Sequence, residues 1–210
     1  MKITKRDFRS LLSTLRKHGV LLETDAQLPS VASLVAGEPI RGSWWAHPRG
    51  QEIFVALNEL ADHEDVLFTK LVSRKVTLVH RDLWSDLLSV AGARQSWQLK
   101  QLSPAAEFLM RLIDEEGCVR SDKLELPKRF QATKPGTIVR ELEYRLLVHA
   151  EELHTDSGAH AKQLEGWQPW AKRLGFDFVP SQPEESKLKF ETLLMNLNNE
   201  YGGKGRLPWQ

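Results

Sequence analysis

Apolar positions along this chain fall into short helical stripes broken by well-marked stops. Phe8, Leu11, Leu12 and Leu15 share one helix face, with Thr4 placed to cap the start and Gly19 just past the end. Leu28-Pro29-Ser30 opens a shorter helix that Gly37 stops, and Ile53, Phe54, Leu57 and Leu60 mark a third. Val66–Val72 and Lys75–His80 are rich in β-branched residues and flank Ser73-Arg74, which predicts a β-hairpin. Arg81–Val90 reads as helix. Ser103-Pro104 opens a helix with Ala106, Leu109, Met110 and Ile113 on one stripe, ended by Gly117. A short Cys118-Val119-Arg120 strand follows, then a helix opened by Ser121, and a third after Pro135-Gly136. Leu146–Thr155 and Ala159–Leu164 flank Asp156-Ser157-Gly158 and predict a second hairpin. The competing reading is one helix from Gly136 to His154, because Glu, Leu and Arg favour helix. Trp167–Leu174 and Glu184–Tyr201 are the last helices, and Gly202-Gly203-Lys204-Gly205 predicts a flexible tail that docks or frays.

The expected class is therefore α+β and mostly helical. Helix, short strand, helix, helix, strand, turn, strand is the order of a winged helix-turn-helix. The first half also ends in helix, hairpin, helix, which is compatible with a degenerate second copy. The expected divisions are 1–100, an N-terminal helical region with a hairpin; 101–176, the winged helix-turn-helix; and 177–210, a helix and tail.

That module commonly lays its third helix in a DNA groove. Here the helix offers Lys134, Thr137 and Arg140, with Arg145 at its end. Between Arg120 and Arg145, seven cations face four acids, a local excess of about +3, although the formal net charge of the 210 residues is only +1. The hairpin opposes this. Glu151, Glu152, Asp156 and Glu165 against Lys162 leave it near −3. The segment Trp44-Trp45-Ala46-His47-Pro48-Arg49 is a second candidate. Its indoles would stack on bases and Arg49 would hold a phosphate at a helix start, unless the tryptophans are core anchors and His47 caps the helix.

Catalytic motifs are missing. No serine stands in a Gly-x-Ser-x-Gly turn, and the single cysteine, Cys118, is expected as a packed thiol. His149, His154 and His160 lack the spacing of a zinc motif, so neither metal nor cofactor is expected. One cysteine suits a reducing cytosol, and no stretch approaches the ~18 apolar residues of a membrane span.

The run Arg140–His149, with Glu151–Gly158 and Leu164–Trp167, resembles bacterial winged-helix proteins of uncharacterised function. Gly42–Trp45 with His47-Pro48, and Lys70–Val72 with Lys75–Val79, resemble their N-terminal half. A looser similarity is to the winged-helix DNA glycosylases. That resemblance implies tandem winged helices and a Gln-centred motif, which Gln51, Gln95, Gln98 and Gln101 do not reproduce. The leading expectation is a cytoplasmic protein binding double-stranded DNA, in regulation or as a repair accessory. The alternatives are base excision, and an interaction module that binds a protein partner or a second copy.

Overall fold

Local capping sets the helix boundaries. The computed structural model describes residues 4–154 and 160–210. In chain order the elements are α1 (Lys5–His18), β1 (Val20–Leu22), α2 (Val31–Ala36), α3 (Gly50–Ala61), β2 (Val66–Lys70), β3 (Val76–His80) and α4 (Trp84–Ala91). They continue through α5 (Ser96–Leu99), α6 (Pro104–Glu116), β4 (Cys118–Arg120), α7 (Pro135–Tyr144), β5 (His149–His154), β6 (His160–Glu165), α8 (Trp167–Arg173) and α9 (Pro183–Tyr201). Thr4, Ser30 and Ser103 each accept a backbone N–H at a helix start, and Gly19, Gly37 and Gly117 end those helices at positive φ.

The contacts divide the chain into two units. Residues 1–86 and 184–208, with Gln210, form the first; residues 87–183, with Trp209, form the second. The chain therefore divides at Asp86/Leu87 and not at residue 100, and α9 belongs with the N-terminal elements.

In the first unit β1, β3 and β2 form an antiparallel sheet in that order. Leu15, Leu21, Val31, Ile53, Leu60 and Leu78 fill the core between the sheet and α1–α3. The hairpin turns through Ser73 and Arg74, both at positive φ. The tail is not free: Asn198 donates to the Gly205 carbonyl (3.0 Å) and accepts from its N–H (2.7 Å), and Leu207 is buried.

The second unit repeats the pattern. Its sheet runs β4-β6-β5, antiparallel throughout, and Leu109, Ile113, Ile138, Leu142, Val148 and Leu164 form its core. Each unit thus runs helix, strand, connection, helix, hairpin, with the third strand between the first two. The helix expected from Ser121 is absent. Two 3-10 turns, Ser121–Lys123 and Lys128–Phe130, stand there, because Pro127 interrupts a segment without an apolar stripe. The uninterrupted helix to His154 is also excluded, since α7 ends at Tyr144 and β5 pairs with β6. The reversal at Asp156-Ser157-Gly158 lies outside the described residues. Among those described, no helix is long and apolar enough to cross a membrane.

Candidate nucleic-acid interface

Helix α7 buries Ile138, Val139 and Leu142 and turns Lys134, Thr137 and Arg140 to solvent. Pro135 opens it without wasting a donor, and no side chain caps its first turn. Lys123, Lys128 and Arg129 are exposed on the preceding connection. Arg129 lies over the Phe130 ring (4.7 Å), and Arg140 Nε donates to the Gly136 carbonyl (3.1 Å). Among the described residues Lys128, Arg129, Lys134 and Arg140 are in no ion pair, and Lys123 acts on Asp122 only through its charge. Ion pairs consume little of the positive charge here.

A cleft of about 380 Å³ opens beside the start of α7, lined by Ser121, Pro135, Gly136, Arg140, Glu143 and Lys162. Glu143 is 6% exposed. Its Oε1 accepts from Lys162 Nζ (2.6 Å), while its buried Oε2 has no partner. The Lys162 N–H donates to Ser121 Oγ (2.7 Å), which ties the cleft's far wall to β6. The cleft's lining thus mixes the cations Arg140 and Lys162 with the acids Asp122 and Glu143, and the unpartnered Glu143 Oε2 is buried beneath it. Glu143 and Lys162 were not among the expected site residues. The signal existed: Glu143 lies four positions after Val139, which puts a charge on the buried stripe.

Arg145 is not on this surface. Its guanidinium donates to the carbonyls of Gln98 (3.0 Å) and Lys100 (2.8 Å), with longer bonds to those of Trp97 and Gln101. It clamps the C-terminal end of α5 and is unavailable to phosphate. Glu141 is likewise structural: it accepts from the N–H (2.9 Å) and hydroxyl (2.6 Å) of Ser103, which caps α6. One acid is thereby removed from the face of α7.

In the first unit the two tryptophans part company. Trp44 is buried and its Nε1 donates to Glu23 (2.8 Å). Trp45 is 64% exposed and stacks on Trp44 at 4.2 Å, with ring planes 22° apart. A stacked indole with an open face is a platform for a base or other flat ligand. Arg49 does not join it; its guanidinium is paired to Glu52 one turn along α3. His47 Nδ1 accepts the Arg49 N–H (3.1 Å), so it organises the entry to α3.

The acidity of the hairpin is partly cancelled by Arg173 of α8, which pairs with both Glu151 and Glu165. Cys118, Glu165 and His149 stand opposite one another in one row across the three strands, hence on one face. Cys118 is exposed rather than packed, and burial and the Glu165 charge raise its thiol pKa. His149 is buried against Trp167 and Trp170. Burial, and secondarily the Arg173 cation, pull its pKa down to about 3, so the ring is neutral at physiological pH.

No family model, curated protein or solved structure matches this chain.

Proposed function

We propose that the second unit is a winged-helix module that binds double-stranded DNA, laying α7 in the major groove. The observation that carries this reading is the group of five exposed cations, Lys123, Lys128, Arg129, Lys134 and Arg140, on α7 and the connection before it, none of them held in an ion pair among the described residues. The sheet order β4-β6-β5 supports it, because a hairpin in that position flanks the helix that reads the groove. Lys134, Lys128 and Arg129 neutralise phosphates, Arg140 reaches a guanine edge, and Thr137 positions the helix start.

Fluorescence anisotropy with a labelled duplex at several salt concentrations tests this. Binding should weaken with salt, and Lys134→Ala with Arg140→Ala should weaken it further, lowering the slope of log K against log salt by about 1 for the lost Lys134 phosphate contact and relaxing sequence preference for the lost Arg140 base contact. A double variant indistinguishable from wild type, or a wild type indifferent to duplex at low salt, overturns the reading.

A further inference from the structure

Away from α7, three donors converge at one end of the second sheet. His149 Nδ1 and one carboxylate oxygen each from Glu151 and Glu165 lie within 4.8 Å of one another. The fold puts them there. Glu165 on the central strand pairs in register with His149 on β5, and Glu151 follows His149 by two positions on the same face. His149 and Glu165 are buried, 6% and 4% exposed, while Glu151 faces solvent. A site with two walled ligands and one open side admits an ion from water.

The independent observation is His149 itself. Its Nδ1 is buried without a hydrogen-bond partner. It faces Glu165 Oε1 at 3.9 Å, beyond hydrogen-bond reach. Burying such a nitrogen unpaired costs on the order of 1–3 kcal/mol. Arg173 now bridges the two carboxylates and makes no hydrogen bond to His149 Nδ1. Arg173 also balances only one of the two negative charges. A divalent cation would balance both and take the imidazole lone pair.

We propose that His149, Glu151 and Glu165 bind a divalent cation of the Zn²⁺ class, in the place the Arg173 guanidinium holds between the carboxylates. One imidazole and two carboxylates is a donor set for Zn²⁺ and its first-row neighbours; Mg²⁺ and Ca²⁺ take all-oxygen shells. Donors around a tetrahedral Zn²⁺ lie about 3.4 Å apart, so side-chain rotations that draw the three donors in by about an ångström close the cluster. The Arg173 side chain is 42% exposed and free to swing outward. Water fills the fourth position on the Glu151 side.

The experiment uses the full chain, stripped with chelator and titrated with Co²⁺ by visible absorption and with Zn²⁺ by calorimetry. Wild type should take up one equivalent with the d–d bands of a low-coordinate site. His149→Gln should abolish those bands. Arg173→Gln, which removes the competing cation at an exposed position, should tighten binding by about tenfold or more. Mg²⁺ should compete with neither. The proposal falls if folded Arg173→Gln protein shows no d–d bands, if it binds Co²⁺ more weakly than wild type, or if His149→Gln binds as tightly.

Discussion

Asp25 shows how one carboxylate can organise a loop. It accepts the N–H groups of Gln27 (2.9 Å) and Leu28 (2.8 Å) and pairs with Lys75 Nζ (2.7 Å) on the opposite side of the hairpin. Burial on its own would raise the pKa of this group; the bonds from Lys75 and the two backbone donors outweigh it and hold the pKa below the ordinary value. A depressed carboxylate contributes stability that is present above its unfolded pKa and lost as pH falls through the folded one. Asp25→Asn should therefore cost about 1 kcal/mol at pH 7, and the difference from wild type should start to shrink below pH ~3.9 and continue shrinking as pH falls through the lower folded pKa. Urea midpoints for both proteins at pH 7 and pH 3 check this; a penalty that persists in acid would mean the charge is not responsible. Residue-scale roles like this one were the least legible in the sequence. Arg173, Glu143 and Arg145 act on partners 8, 19 and up to 48 positions away, and no local pattern encodes such separations. Trp44 and Trp45 are neighbours with opposite environments, which only the 3-10 turn Trp44–Ala46 decides.

At the scale of elements the sequence was far more legible, because caps and stripes are local. Thr4 and Gly19, Ser30 and Gly37, and Ser103 and Gly117 bounded three helices correctly. Ser121 misled because a capping residue specifies a helix only if an apolar stripe follows, and Pro127 lies six residues on. The connection from α5 to α6 also escaped the sequence. It is pinned from outside: Gln98 Nε2 donates to the carbonyls of Ala91 (3.0 Å) and Arg145 (3.1 Å), while Arg145 donates to the carbonyls at the end of α5. A cation at a helix C-terminus also answers the negative end of the dipole. Arg145→Met, which keeps most of the stem, should lower the unfolding free energy by about 2–4 kcal/mol. Duplex affinity of the folded fraction should be unchanged. Denaturation followed by circular dichroism, with anisotropy on the same samples, separates the two effects; selective loss of affinity would place Arg145 on the proposed duplex-binding surface.

For the whole molecule, the repeated strand order gives both units the same plan, yet only one is built almost entirely from a single run of chain, residues 87–183, with Trp209 added. Residues 184–208 complete the unit that residues 1–86 begin. Its closure is tight: a Cβ on Gly203 would overlap Leu28, 2.8 Å from its Cγ, and would meet Asn198 Oδ1 at 3.0 Å. Leu28 is buried and cannot yield freely. Gly203→Ala should cost about 1–3 kcal/mol by overpacking, read as a lower urea midpoint, whereas a neutral result would mean the tail is not held against Leu28. Domains usually mature on the ribosome in the order in which they emerge. Here the interior segment has every partner except Trp209 before the outer one is complete. The first 86 residues must wait, with the Leu28 surface uncovered, until α9 and Gly203 have been made.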